Sequence, residues 1–147
     1  MKKVIFISLA LLFIFSSCKK DDKSCGKTTA DIAGTYTLVK VEVGSGGSYN
    51  DVTNDNNYVE PCQKDDKLIL NANGTAQYVD EGTVCSPSES ATGTWSVSSD
   101  GKFTVAAGPQ EFSGAEIVSF DCKNLVISAV FSFGGFSANI KTTLKKM

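Results

Sequence analysis

Apolar and polar residues alternate most regularly near the end of the chain. Residues 125–133 place apolar side chains at every second position, and residues 136–145 do so again after a Gly134-Gly135 pair. A period of two is typical of strands with one buried and one exposed face. The pattern therefore predicts an antiparallel hairpin. Its buried face is predicted to contain Leu125, Ile127, Ala129, Phe131 and Phe133 on one strand and Phe136, Ala138, Ile140, Thr142 and Leu144 on the other.

Six further segments with strand character precede this hairpin. They are rich in β-branched and aromatic residues, and turn-forming pairs such as Asn73-Gly74 and Asp100-Gly101 separate them. Successive short antiparallel strands favour an up-and-down barrel, because closure leaves no unpaired edge. We expect an all-β fold: an eight-stranded antiparallel barrel, closed or half-open. The predicted strands are residues 34–43, 67–71, 75–80, 93–98, 102–106, 111–120, 125–133 and 136–145.

The first predicted strand has no single register. Tyr36 and Leu38 have one parity, whereas Val41 and Val43 have the other. A β-bulge near Val39 or Lys40 would bring the four apolar residues to one face and would bend the strand, as a barrel requires. We therefore predict a bulge at this point.

The first 17 residues have a different pattern. Lys2 and Lys3 precede twelve uncharged residues, 4–15. A membrane-spanning helix needs about 20 apolar residues, whereas the shorter run fits a signal peptide. Residues 15–18, Phe-Ser-Ser-Cys, resemble a bacterial lipobox, which implies cleavage before Cys18 and lipid on its sulfur. We predict a signal peptide over 1–17, a lipidated cysteine with a flexible tether over 18–31, and the barrel domain over 32–147.

The residues after Cys18 bear on localisation. Residue 19 is lysine, so the aspartate that retains lipoproteins at the inner membrane is missing. Residues 19–23, Lys-Lys-Asp-Asp-Lys, resemble the surface-export signal of one group of Gram-negative bacteria, and a plain solvated spacer is the alternative. We expect an outer-membrane lipoprotein that faces either the cell exterior or the periplasm.

The composition narrows the possible functions. The chain has 14 lysines, no arginine and no histidine, and its formal net charge is −2. Histidine is the commonest general base and metal ligand, and arginine is the residue best suited to clamp phosphate. Nucleic acid also needs clustered positive charge. We expect a monomeric protein that is not an enzyme, holds no metal or cofactor and binds no nucleic acid.

Four cysteines follow Cys18 in a chain that is predicted to be exported. An even number in this context indicates disulfides, and zinc is disfavoured because the chain has no C-x-x-C pair and no histidine. Cys62 and Cys85 flank the second and third predicted strands and should meet at one end of that hairpin. We predict that these two are paired, and that Cys25 is paired with Cys122.

Several short motifs resemble the lipocalin-like lipoproteins. Residues 32–38, IAGTYTL, resemble the opening of a lipocalin-like domain, with Tyr36 in place of the usual tryptophan. Residues 62–74 look like the second strand of this group, and residues 93–103 like its fourth and fifth strands. The resemblance extends over residues 32–146. It implies a barrel that binds a small apolar ligand, with residues 49–58 as a loop over its mouth.

Apolar side chains predicted to point into the barrel are the candidate ligand contacts. The alternative is a solid barrel filled by the same side chains. In that case its exposed loops, residues 44–66 and 80–92, would contact a partner protein or glycan. A cavity beside Phe131 and Phe136 would separate the two readings. The candidate ligand-binding residues are Leu68, Leu70, Trp95, Phe103, Phe131, Phe133 and Phe136.

The lipid attachment has a direct test. In Cys18→Ala the thiol that accepts the lipid is missing, so we expect an unprocessed precursor that incorporates no labelled fatty acid. Metabolic labelling followed by gel electrophoresis measures this, with Cys62→Ala as the matched control. A lipid-labelled Cys18→Ala protein would show that the assignment is wrong.

Overall fold

The computed structural model describes residues 25–133 and 136–147. Cys18 and the predicted signal peptide lie outside these residues. Within the described part, no helix is long and apolar enough to cross a membrane. The elements are α1 (Thr29–Ile32), β1 (Gly34–Ser45), β2 (Ser48–Asp51), a 3-10 turn (Pro61–Gln63), β3 (Lys67–Leu70), β4 (Thr75–Val79), β5 (Ala91–Val97), β6 (Lys102–Ala107), β7 (Gln110–Phe120), β8 (Asn124–Phe133) and β9 (Phe136–Lys146).

Eight of these strands form a closed antiparallel barrel. Each strand from β3 to β8 pairs with the next along the chain, and β1 pairs with both β3 and β9. Closure pairs both edges of the sheet, so backbone N–H and C=O groups find partners around the ring. The predicted all-β barrel is therefore confirmed, and each predicted strand differs from the observed one by two residues or fewer at either end.

The predicted bulge in β1 is also confirmed. The register between β1 and β9 shifts between Leu38 and Lys40, so the extra residue is Val39, which is exposed. Before the bulge Tyr36 is buried, and after it Val41 borders the interior. The shift keeps the apolar residues of both halves of β1 on the inner face, as the sequence pattern required.

The ninth strand, β2, was not predicted. It forms a hairpin with the end of β1, where Ser45 pairs with Ser48. Gly46 and Gly47 both have positive φ, 60° and 92°, which is the backbone of the favoured two-residue hairpin turn. Residues 48–51 are mostly exposed and lack apolar alternation, because this ribbon extends beyond the barrel wall.

One end of the barrel is filled by side chains. The turns after β3, β5 and β7 lie at this closed end, and its largest buried residues include Tyr36, Phe103 and Leu125, each 0% exposed. Trp95 packs near Phe103, with 6.0 Å between ring centroids, and its indole N–H donates to the Asn71 carbonyl at 2.8 Å. Each buried polar atom of these aromatics thus has a partner, as close packing requires.

The segment before β1 covers the closed end. A capping box of Thr28 and Asp31 starts the single turn of α1, which places Ile32, 0% exposed, in the core. The Tyr36 hydroxyl donates to the Ile32 carbonyl. Of the predicted flexible tether over 18–31, residues 25–31 lie against the barrel: Cys25 packs against the core, and the Lys27 ammonium donates to the Ile117 carbonyl at 2.7 Å. One helical turn is too short to produce a readable period in the sequence.

Both predicted disulfides are confirmed. Cys25 is joined to Cys122 at the closed end, with 5.4 Å between Cα atoms. Cys62 is joined to Cys85 at the opposite end, with 5.2 Å between Cα atoms. The first ties the segment before α1 to the turn after β7, and the second ties the loop before β3 to the loop after β4.

The two disulfides should differ in their contribution to stability. They close loops with sequence separations of 97 and 23 residues. From loop entropy alone the longer loop contributes about 4.7 kcal/mol and the shorter about 3.4 kcal/mol. Replacing both Cys25 and Cys122 by alanine should therefore lower the free energy of unfolding more than replacing Cys62 and Cys85. Urea denaturation of the two variants measures the difference, and the reverse order would contradict it.

Candidate functional site

A cavity lies at the open end of the barrel, opposite the closed end. Its volume is about 450 Å³, within the range of about 300–1,000 Å³ that is typical of small-molecule sites. β1, β7, β8 and β9 form its walls, and residues 58–63 of the loop before β3 form another side. We call it the mouth cavity. Its apolar lining includes Leu38, Val41, Val59, Phe112, Phe131 and Ile140.

The rim of the mouth cavity carries large exposed apolar side chains. Phe131 is 63% exposed, and Tyr58 and Val130 are similarly accessible. All three line the cavity. Exposed apolar groups around a concave opening are typical of a surface that becomes covered when something binds.

Polar side chains lie at the base of the mouth cavity. Gln63 and Thr142 line it from below, and Gln63 also borders a smaller void of about 10 Å³ among Tyr36, Asp66 and Tyr78. A void of this size holds at most one water molecule. The cavity therefore ends above the centre of the barrel, and the closed half beneath it is solid.

Asp66 is a buried carboxylate beneath this base, 3% exposed. It accepts a hydrogen bond from the Tyr78 hydroxyl at 2.6 Å and another from the backbone N–H of Glu81 at 2.9 Å. Burial raises the pKa of Asp66 above its ordinary value, although both donors act in the opposite direction. Burial also raises the pKa of Tyr78. This hydrogen bond ties the start of β3 to the end of β4. The Asp66 carboxylate thus already has hydrogen-bond donors within the protein.

Two further aspartates shape the loop between β4 and β5. Asp80 accepts hydrogen bonds from the backbone N–H groups of Glu89, at 2.9 Å, and Cys85, at 3.0 Å. Both hydrogen bonds lower the pKa of Asp80, and the one from Glu89 has the larger effect. Asp65 accepts from the N–H of Thr83 at 3.0 Å. These carboxylates thus accept backbone N–H groups of the loop that a neighbouring strand would accept in a sheet.

The loops on this side of the mouth are tied together. Gln63 donates to the Glu89 carboxylate at 2.8 Å, next to the disulfide between Cys62 and Cys85. Glu60 also approaches these sulfurs, but both are in the disulfide and offer no thiolate to a metal. The loop before β3 is therefore held in place over the barrel, which keeps Tyr58 and Val59 at the cavity.

The predicted ligand contacts separate into three groups. Phe131 lines the mouth cavity. Phe133 and Phe136 pair across the hairpin of β8 and β9, but their side chains lie outside what the structure describes. The remaining four belong to the buried core and do not line the mouth cavity: Leu68, Leu70, Trp95 and Phe103.

Several lining residues were not among the predicted contacts. Phe112 and Ile140 line the mouth cavity, and Ile140 was predicted only to point inward. The missing signal is the distance of each position from the closed end. Leu144 and Ile140 share the inner face of β9, yet Leu144 is in the core while Ile140 lies above it. Counting positions from the β1 bulge would have separated them.

The pKa shift of Asp66 predicts a pH dependence of stability. Folding raises the pKa of Asp66. Its stabilising contribution is therefore complete at pH values below its pKa in the unfolded state, which is about 3.9, and is lost as the pH rises through its higher pKa in the folded state. The difference in free energy of unfolding between the wild type and Asp66→Asn should therefore decrease from pH 4 to pH 7. Urea denaturation across this range measures it.

Asp80→Asn is the matched control, because the pKa of Asp80 is lowered by folding. The stabilising contribution of Asp80 is present at pH values above its pKa in the unfolded state and is lost as the pH falls through its lower pKa in the folded state. The difference between the wild type and Asp80→Asn should therefore increase as pH rises from about 2 to 5. A common direction of change for both variants would contradict the assignment.

Comparison with known proteins agrees with this architecture. The family model of the lipocalin-like domain matches residues 32–127, more than half of the chain. A search of curated proteins gives no match. The matched residues run from the end of α1 into β8, and β9 then completes the ring. The chain belongs to the lipocalin-like domain family.

Proposed function

We propose that this protein binds a small, largely apolar ligand in the mouth cavity, while lipid on Cys18 holds it at the outer membrane. The observation that carries the proposal is the cavity itself, about 450 Å³ above a solid closed half. A binding role fits the absence of histidine from the chain. The buried carboxylate, Asp66, is also engaged by Tyr78 and Glu81.

Apolar contacts would supply the affinity for such a ligand. Each square ångström of apolar surface removed from water contributes about 25 cal/mol, and Leu38, Phe112 and Ile140 offer such surface inside the cavity. The disulfide between Cys62 and Cys85 and the bond from Gln63 to Glu89 hold the neighbouring loops. A preformed wall reduces the entropy lost on binding.

The position of the tether bears on which way the mouth faces. Cys25 is fixed at the closed end, and seven extended residues from Cys18 reach at most about 25 Å. β9 has eleven residues, which at a tilt of about 40° span about 28 Å along the barrel axis. A lipid on Cys18 would thus hold the closed end near the bilayer, with the mouth towards water. The ligand would be exchanged on the aqueous side.

Filling the cavity tests the binding role. Ala129 lines the mouth cavity from β8, so Ala129→Trp should occupy it with an indole ring. We expect at least a tenfold loss of affinity for N-phenyl-1-naphthylamine, a neutral apolar probe whose fluorescence increases on binding, because the ring removes the volume that the probe needs.

Val118→Trp is the matched control, because Val118 is exposed on β7 and is not among the cavity residues. It should bind the probe as the wild type does. Equal binding by Ala129→Trp and the wild type, with both folded by circular dichroism, would exclude the mouth cavity as the site. The loops of residues 44–66 and 80–92 would then be the candidate surface, in contact with a partner protein or glycan.

A further inference from the structure

The barrel wall is incomplete between β7 and β8. The ladder that joins these strands ends at the pair of Glu116 and Ser128, although β7 begins at residue 110 and β8 extends to residue 133. In the part of the chain that the structure describes, no residue of β7 pairs with Val130 of β8. We call the opening between residues 113–115 and residues 129–130 the seam.

A bulge in β7 accounts for the seam. The register between β6 and β7 shifts so that Ser113 and Gly114 together lie opposite Thr104, and the Gly114 N–H donates to the Thr104 side chain at 3.1 Å. Gly114 has a φ of 65°, a left-handed conformation that glycine adopts without strain. Such a bulge bends its strand. Pairing with β6 continues on both sides of this bend, whereas the ladder with β8 ends there.

The seam connects two cavities. Inside the wall lies the mouth cavity, and outside it lies a second pocket of about 180 Å³, which we call the outer pocket. Glu116 and Ser128 place the outer pocket on the outer face, because they alternate with the buried residues Ile117 and Ile127. Both cavities are lined by Ser113, Ala129 and Val130. A molecule in the mouth cavity can therefore extend through the wall at the seam.

The outer pocket offers polar groups whose charges cancel. Ser113, Ser128 and Asn139 contribute hydroxyl and amide groups. Lys102 and Glu116 lie opposite each other on β6 and β7, and they contribute one charge of each sign to the lining. This lining suits a group that both donates and accepts hydrogen bonds and has no net charge.

The backbone of β8 adds hydrogen-bonding groups at the seam. Successive residues of an antiparallel strand direct their N–H and C=O groups alternately to its two neighbours. The even-numbered residues of β8 face β7, since the Asn124 carbonyl accepts from the Asp121 N–H at 3.2 Å and Ser128 pairs with Glu116. Val130 has the same parity, so its N–H and C=O groups point into the seam. A polar ligand group there would provide partners for them.

The rim at the open end is less suited to a polar group. Tyr58 and Phe131, which line the mouth cavity there, are large and exposed apolar side chains. Gln63 at the base already donates to Glu89. The polar end of a ligand thus finds more hydrogen-bonding partners through the seam than at the rim.

We propose that the ligand of the mouth cavity is a single-chain amphiphile with an uncharged, hydroxyl-bearing head, and that it passes through the seam. Its tail lies between Leu38, Phe112 and Ile140 in the mouth cavity, and its head lies in the outer pocket. This rests on the proposed binding function and adds the ligand class to it. A head with a net charge would meet one attractive and one repulsive side chain, whereas hydroxyl groups match the whole lining.

Filling the outer pocket tests this arrangement. Ser128 lines the outer pocket and does not line the mouth cavity, so Ser128→Trp should place an indole ring where the head would lie. We expect it to weaken the binding of decyl β-D-glucoside about tenfold, which corresponds to the loss of one or two hydrogen bonds. The affinity for N-phenyl-1-naphthylamine, which has no such head, should not change. Isothermal titration calorimetry below the micelle concentration measures the glucoside, and fluorescence measures the naphthylamine.

Val126→Trp is the matched control. Val126 lies on the same face of β8, two residues nearer the closed end, and lines neither cavity. It should bind both probes as the wild type does.

Asn139→Ala is a second variant, which adds no bulk. It removes an amide from the outer pocket, and we expect about a fivefold loss of affinity for the glucoside alone. Its control is Thr143→Ala, because Thr143 lies on the same face of β9 and lines neither cavity.

The outcomes separate this proposal from the function on which it rests. Unchanged glucoside binding in Ser128→Trp and Asn139→Ala would overturn the proposal and leave the apolar site standing, and so would a wild type that binds only the naphthylamine. Failure of the wild type to bind either probe would overturn both. If Ser128→Trp loses both probes, Asn139→Ala decides: loss of the glucoside alone supports the outer pocket, and unchanged binding overturns it.

Discussion

The pairing of β1 with two neighbours is the constraint on which the rest of the structure depends. Residues 34–37 pair with β3 on one side, while β9 pairs along most of the length of β1 on the other. An unbent β1 could not pair with both β3 and β9 around the closed ring, and the bulge at Val39 bends the strand. Beyond the bulge β3 has diverged and β2 pairs in its place. The wall therefore has a gap at this level, which is where the mouth cavity lies.

The gap must be covered by irregular backbone, and carboxylates make this possible. Loops that leave a sheet lose their ladder partners, and each unpaired buried N–H costs about 1–3 kcal/mol. Asp65, Asp66 and Asp80 accept hydrogen bonds from four backbone N–H groups of residues 81–89, of which that of Cys85 is buried. The aspartates of these loops thus have a structural role.

Much of the fold was readable from the sequence, because strand alternation and tight turns are local properties. The β1 bulge followed from a conflict of parity between Leu38 and Val41. The β2 hairpin and α1 could not be read in this way: residues 48–51 have little buried surface to impose a pattern, and α1 has only one turn. The candidate site was harder still. Aromatic content indicated Trp95 and Phe103, yet these fill the closed end.

The difference between core and site arises from the height of a residue along the barrel axis, and no local pattern encodes height. Leu125, Ile127 and Ala129 share one face of β8, and the first two are buried while the third borders the cavity. The family match ends at residue 127, so Phe131, Ile140 and Thr142 lie beyond it. One wall of the mouth cavity is therefore built by residues beyond those that the family model matches. Family membership accounts for the barrel, whereas the character of this cavity has to be argued from the side chains of β8 and β9 themselves.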